Sequence, residues 1–373
     1  MTVCKTVSQR ITASVLLLFM LGLCLFCLPI KPAAMGDDQT LLRKRDIPVR
    51  IRRQWRETDF KRTTVPEDGF RFAEAPKDGI RAIVNPRFRG VATAGPTAQS
   101  PVITVTVGQV TRAYPLEILI WHEVVNDTLD GVPVAVTYSP FTNTTMVFDR
   151  RLPGGTEGDA DGAGPTLTFG VSGHLRYGNL VLYDRESQSW WQQFTGTGIV
   201  GTHADAALTV LPHRIENYGT YQARVPDGIV LAPPYGSQIV YGSSPYAGYD
   251  TLESSPYAVT KRAPKRGTVQ SAMTDGMADS IRASRIVRVG TQAWPLPAIA
   301  QAGRLEGPDG LIFTWQPGTL SVLDSQIVVR SNAIGSVLVQ RRAGDALEGV
   351  SYSLDFAYAY KAFYPDRGLL SLP

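Results

Sequence analysis

The feature that most constrains this chain is an internal repeat. Ala113-Tyr114-Pro115-Leu116-Glu117-Ile118-Leu119 is echoed by Ala293-Trp294-Pro295-Leu296-Pro297-Ala298-Ile299. Leu167-Thr168-Phe169 is echoed by Leu311-Ile312-Phe313-Thr314, Leu180–Asp184 by Leu320–Asp324, and Pro226-Asp227-Gly228 by Pro365-Asp366-Arg367. The landmarks keep the same order in both halves, which chance seldom produces. Two similar units of this kind bury apolar surface against each other. The runs between the landmarks read as strands. Val102–Val107 is continuous and β-branched, and Val132–Tyr138, Thr145–Phe148, Leu180–Tyr183 and Ile229–Leu231 are short apolar or alternating runs. Gly and Pro punctuate them at loop spacing. Helical patterns are short, the best being Pro115–Val125 and Ala357–Phe363. The expectation is a mainly β fold with a few short helices, built as two related β lobes. A site is expected at their junction, where clefts form.

The N-terminus sets the expected compartment. Ile11–Ile30 is nearly uninterrupted apolar sequence, preceded by Lys5 and Arg10, with no acidic residue before Asp37. This is the pattern of a secretory signal or of a membrane anchor, and a run of about 20 apolar residues is long enough to span a bilayer. The basic flank stays in the cytoplasm, so the remainder is exported, to the periplasm or beyond, either free or anchored to the cytoplasmic membrane. The expected organisation is a leader or anchor over residues 1–34 and a basic tether over 35–62. A first β lobe over 63–242 follows, then a linker or lid over 243–284 and a second lobe over 285–373. Cys4, Cys24 and Cys27 all lie in the leader, so the exported part has no disulfide and no thiolate nucleophile. The formal charge of +4 falls partly on the leader, and nothing global points to nucleic acid. One local run is basic, from Arg43-Lys44-Arg45 through Arg50, Arg52, Arg53 and Arg56 to Lys61 and Arg62. It reads as a solvated tether or as a contact for anionic lipid or a polyanion. The expected partners are the membrane, through the N-terminal segment, and a small molecule or another envelope protein.

Chemistry-bearing residues concentrate in Trp121-His122-Glu123-Val124-Val125-Asn126-Asp127 and Tyr138-Ser139-Pro140-Phe141-Thr142-Asn143-Thr144. Further on come Asp184-Arg185 and Trp190-Trp191-Gln192-Gln193. These stretches resemble a bacterial family of exported or membrane-attached proteins, domain-of-unknown-function family 3179. Further matches are Pro76-Lys77-Asp78-Gly79-Ile80, Asn85-Pro86-Arg87-Phe88, Leu167–Gly173, Pro245-Tyr246-Ala247-Gly248-Tyr249 and Phe363-Tyr364-Pro365-Asp366. The resemblance spans roughly residues 58–370 and implies no established reaction. In the family the first motif resembles Tyr-Cys-Pro-Leu-Cys-Asn-Thr and the last resembles Phe-His-Pro-Asp. Here Ser139 and Thr142 stand at the cysteine positions and Tyr364 at the histidine. Cysteine and histidine are ligands for copper and zinc and the pair of thiol catalysis, so this chain is expected to be a divergent member whose Cys/His site is degenerate.

Three readings follow. The first is a binding protein whose cleft is formed around His122, Ser139, Asn143, Asp184 and Trp191, with Glu123, Asn126, Tyr138 and Arg185 as further ligand-binding candidates. The second is a metal-dependent redox protein holding copper, zinc or iron through His122 with other histidines or carboxylates, although no His-x-x-x-His spacing occurs. The third is a hydrolase in which His122 activates Ser139, although no Gly-x-Ser-x-Gly elbow is present. His122 also reads simply as a residue that gives one nitrogen to a carbonyl and holds a helix against the sheet.

Overall fold

The computed structural model describes residues 41–93, 95–154, 164–250 and 284–370. They form a β-rich fold of five small sheets in a propeller-like ring, with short helices, as expected from the strand signals. Sheet 1 has the order His213–Asn217, Pro101–Val107, Val110–Pro115, Ile229–Leu231, Phe88–Gly90. Sheet 2 has the order Ile83–Val84, Val124–Leu129, Val132–Ser139, Thr144–Asp149. Sheet 3 has the order Phe70–Arg71, Phe169–Arg176, Asn179–Asp184, Trp190–Gln192, Thr197–Val200. Sheet 4 has the order Gln292–Pro295, Arg285–Val289, Ser353–Phe356, and sheet 5 the order Arg304–Glu306, Leu311–Gln316, Ser336–Ala343, Ala346–Gly349. Five helices are used below: α1 (Val49–Gln54), α2 (Leu116–His122), α3 (Tyr218–Arg224), α4 (Leu296–Ala302) and α5 (Ala357–Phe363).

The repeat is visible residue by residue in the register. Sheets 1 and 4 each begin with a hairpin, in which Val102 faces Pro115 and Ile286 faces Pro295. Those prolines precede α2 and α4 with φ of −63° and −62°. A ring-fixed φ and a missing N–H suit the entrance to a helix, where the first N–H groups have no intrahelical acceptor. Each helix ends on a residue with positive φ whose N–H bonds back four residues, Glu123 to Leu119 and Gly303 to Ile299. The carbonyl of that residue then receives the next strand: Tyr138 N–H donates to Glu123 O (2.9 Å) and Trp315 N–H to Gly303 O (2.7 Å). A return strand closes each unit, placing Glu216 opposite Val102 and Asp355 opposite Ile286. The following helix sends Tyr221 to Thr111 O (3.4 Å) in one copy and Tyr360 to Thr291 O (3.0 Å) in the other.

This register refines two of the sequence correspondences. The counterpart of Leu311–Gln316 is Val132–Ser139, because both accept their place from the helix-ending carbonyl; it is not Leu167–Phe169. Leu180–Asp184 is a strand of sheet 3, whereas Leu320–Asp324 is outside the regular strands. Sheet 3, apart from its edge strand Phe70–Arg71, is an insertion in the first copy, between Thr144–Asp149 and His213–Asn217. Its apolar runs share composition with the second copy, and composition does not distinguish an inserted strand from a repeated one.

The two copies share one core. Tyr114, Leu119, Val136 and Tyr138 are buried together with Ile286, Phe356, Tyr358 and Tyr360. Polar bonds cross the junction as well: Thr145 N–H donates to Ser353 Oγ (3.0 Å), Asn143 Nδ2 to Leu354 O (2.6 Å) and Ile215 N–H to the Tyr352 hydroxyl (2.8 Å). Of the 35–62 stretch, expected as a tether, residues 41–62 are described, and their apolar side chains anchor them on the fold. Leu42, Ile47, Ile51, Trp55 and Phe60 are buried against Val181, Tyr183, Trp190, Ile199 and Val200 of sheet 3. Among the described residues no helix is long and apolar enough to cross a membrane. The expected leader, residues 1–34, and residues 251–283 of the expected linker or lid lie outside the described residues.

Candidate functional site

His122 ends α2 almost fully buried. Its Nδ1 lies 2.7 Å from Arg81 O and its Nε2 2.7 Å from the Tyr241 hydroxyl. A carbonyl only accepts, so Nδ1 carries the proton and Nε2 accepts from Tyr241. Burial pushes the imidazole pKa down, opposed by the Arg81 carbonyl. The ring is therefore a neutral brace, stacked on Tyr241 at 5.9 Å. Ser139 is elsewhere. It is fully buried, and its Oγ accepts from Leu180 N (3.2 Å) on sheet 3. A serine nucleophile needs its base within hydrogen-bond reach. Both His122 nitrogens are engaged by other groups, and the structure does not bring the pair together. Adjacent strand residues point to opposite faces, which sends Ser139 to sheet 3 while Tyr138 faces the inter-copy junction.

The remaining candidates divide in the same way. Asn126 bonds both backbone groups of Phe169, its Nδ2 to Phe169 O and its Oδ1 from Phe169 N (2.8 Å each), and so stitches sheet 2 to sheet 3. Asp184 is fully buried and accepts from Ser187 N (2.6 Å), Ser187 Oγ (2.7 Å) and Trp191 Nε1 (2.8 Å), which fixes a turn. Trp191 is itself core, edge-on to Phe169, and is not a ligand platform. Arg185 pairs with Asp78 (2.9 Å) at the surface. The single cleft expected around His122, Ser139, Asn143, Asp184 and Trp191 is thus not formed, because Ser139, Asp184 and Trp191 serve sheet 3. The histidines are dispersed too. His174 is boxed by Trp55, Phe72 and Trp190, His203 lies beside Trp191, and His213 stacks on Tyr352. Among the described residues no three His, Cys, Asp or Glu side chains gather as a metal-ligand group.

What does assemble is a group at the junction of the two copies: Glu123, Tyr138 and Asn143 from the first and Arg285 and Tyr358 from the second, joined by the 241–250 loop. Tyr138 donates to Asn143 Oδ1 (3.0 Å). Arg285, Asp250, Tyr246 and Tyr358 all lie close enough to act on the Tyr138 hydroxyl, whose pKa burial drives well above its ordinary value. Arg285 is paired with Asp250 and donates to Ser321 Oγ (3.1 Å). The rings of Tyr246 and Tyr249 pack on Phe141 at 5.2 and 5.7 Å. Beside Asn143 the junction holds a cavity of about 20 Å³, lined by Leu116, Thr145, Ser321 and Leu354 among others. That is room for about one water molecule.

Glu123 is the anomalous member. It is 4% exposed and holds a φ of 59°, a left-handed conformation that its counterpart Gly303 adopts freely. Among the described residues its carboxyl meets no cation, and its one side-chain hydrogen bond is a long one from the Tyr246 hydroxyl (3.4 Å). Burial therefore raises its pKa to about 8, with the Tyr246 bond opposing weakly. A residue that carries backbone strain and a buried charge-bearing group together is where function concentrates.

Two further features complete the junction, the first in the stretch expected as a linker or lid and the second without a signal in the sequence. The aromatic 241–250 loop is tied to both copies: Trp121 Nε1 donates to Ser243 O (3.0 Å), Ser244 N to Gln326 O (2.9 Å) and Gly248 N to Asp324 O (2.8 Å). The buried pair Arg288–Asp355 lies in sheet 4, with Asp355 at the position Glu216 holds in sheet 1. The family model described as protein of unknown function DUF3179 matches residues 77–367. The chain belongs to the DUF3179 family. No curated protein and no solved structure matches it. In this DUF3179 member the two residues at the expected cysteine positions bond to sheet 3: Ser139 Oγ accepts from Leu180 N (3.2 Å) and Thr142 Oγ1 from Asn179 (2.9 Å), which also donates to Gln193 Oε1 (2.8 Å). That network holds sheet 2 against sheet 3.

Proposed function

We propose that this DUF3179 protein is an exported binding protein of the cell envelope, and that it takes a small organic cation at the junction of its two copies, beneath the 241–250 loop. Glu123 carries the reading: a buried carboxyl with a pKa raised to about 8 and no cation beside it among the described residues. A cationic ligand would ionise it and supply the missing countercharge. Tyr246 reaches Glu123 through its hydroxyl, and its ring packs with those of Phe141 and Tyr249, an aromatic cluster whose faces would meet such a cation once the loop parts. Arg285 does not oppose this, because Asp250 neutralises it. Entry requires the 241–250 loop to part from Phe141. Export rests on the Ile11–Ile30 run and its basic flank. The test is a thermal-shift screen of primary to quaternary ammonium compounds at pH 7 against the wild type and Glu123→Gln. Stabilisation of the wild type by at least one compound, lost in Glu123→Gln, is expected; no stabilisation, or equal stabilisation of both, sinks the reading.

A further inference from the structure

The packing of residues 41–62 gives the basic run an inside and an outside. Leu42, Ile47, Ile51, Trp55 and Phe60 face the core of sheet 3. Arg43, Lys44, Arg45, Arg50, Arg53, Arg56, Lys61 and Arg62 are all exposed, against the exposed acids Glu57 and Asp59 and the partly covered Asp46. The charge is therefore held on the outer side of an ordered strap and is not spread along a free tail. Two apolar side chains share that outer side: Leu41 is 49% exposed and Val49, at the start of α1, 53%. Basic residues interleaved with exposed apolar ones are the chemistry of a membrane-surface contact, in which the charges meet anionic headgroups and the apolar groups enter the interface. The strap also begins about ten residues after the apolar Ile11–Ile30 run, a length that keeps it close to any bilayer that run enters.

We propose that the outer side of residues 41–62 docks on an anionic phospholipid bilayer and so fixes the orientation of the fold on the membrane. This is independent of what the inter-copy junction binds. The test uses the full chain in nanodiscs of phosphatidylcholine alone, or with about 30% phosphatidylglycerol, with Cys4, Cys24 and Cys27 replaced by Ser. An environment-sensitive fluorophore on Gln54→Cys, an exposed position at the end of α1, reports quenching by a lipid-tethered quencher. Quenching several-fold stronger in phosphatidylglycerol discs is expected, falling to the phosphatidylcholine level in about 0.5 M salt. Each basic residue near an anionic surface changes partitioning about fivefold, so Arg50→Glu/Arg53→Glu/Arg56→Glu removes the effect while Arg341→Glu, exposed on sheet 5, keeps it. Val49→Ser weakens it without altering charge. Equal quenching in both lipids would overturn the proposal, as would binding of heparin by these residues with no dependence on phosphatidylglycerol.

Discussion

Burial of the Glu123 carboxyl makes the stability of the fold depend on pH above the ordinary carboxylate range. In the unfolded chain its carboxyl titrates near 4.5; in the fold it holds its proton to about 8. Between those values the unfolded state has lost a proton that the folded state keeps, so stability falls as pH rises. At about 1.4 kcal/mol per pH unit, the loss accumulates to about 5 kcal/mol by pH 8, a large share of the stability of an ordinary domain. Glu123→Gln keeps the shape and the acceptor for Tyr246 but cannot ionise. Urea unfolding of the wild type and the variant from pH 4.5 to 9 should give equal free energies at the acid end. The gap should then open in favour of the variant by about 1.4 kcal/mol per unit and level off above pH 8. A gap of constant size across that range, or a variant less stable at pH 8, would refute the assignment of a buried, unpaired carboxyl. Glu123→Gly should show the same pH dependence and gain about a further 1 kcal/mol from release of the left-handed backbone, partly offset by the looser unfolded chain.

Other parts of the structure make independent predictions. His213 is held neutral, with burial lowering its pKa to about 4, so the fold loses stability as pH falls from 6.5 towards 4; His213→Phe, stacked on Tyr352, should flatten that acid limb by about 3 kcal/mol in the same unfolding series. Asp355→Ala leaves Arg288 buried without its partner and should cost about 3–5 kcal/mol, while Arg288→Met with Asp355→Leu should recover most of it by calorimetry. Tyr221→Phe and Tyr360→Phe occupy equivalent places in the two copies, and each should cost about 1 kcal/mol of unfolding free energy. Ser139→Ala should leave any hydrolytic activity of the purified protein unchanged, since His122 does not reach Ser139; an activity abolished by it would require rearrangement of sheet 2.

Much of this architecture is readable in local pattern. Alternation with Gly and Pro punctuation marks the strands, and the paired Pro115 and Pro295 mark two equivalent helices, because a proline at a helix entrance acts on its immediate neighbours alone. The middle of the repeat is not readable in this way, for the opposite reason. Sheet 3 is held by contacts between residues far apart in sequence, such as Asn126 with Phe169, and its apolar runs carry no label of the copy they belong to. The same distinction governs the site. His122 and Ser139 look adjacent as motifs, but strand alternation and a helix end send them apart. Glu123 was legible as a polar residue; its role appears once Ala113–Glu123 is laid on Ala293–Gly303 and a glutamate is found where the other copy ends its helix on glycine. That Tyr246 settles beside it depends on a loop closing over more than a hundred residues, which no spacing rule encodes.

Cation binding at the junction turns on the Glu123 carboxyl. Isothermal titration of an organic ammonium ligand at pH 7, in two buffers of different ionisation enthalpy, tests it most directly. Release of nearly one proton per ligand bound by the wild type is expected, because a carboxyl with a pKa of about 8 must ionise, and no binding by Glu123→Gln. Binding with no proton released, or binding undiminished in Glu123→Gln, would contradict it.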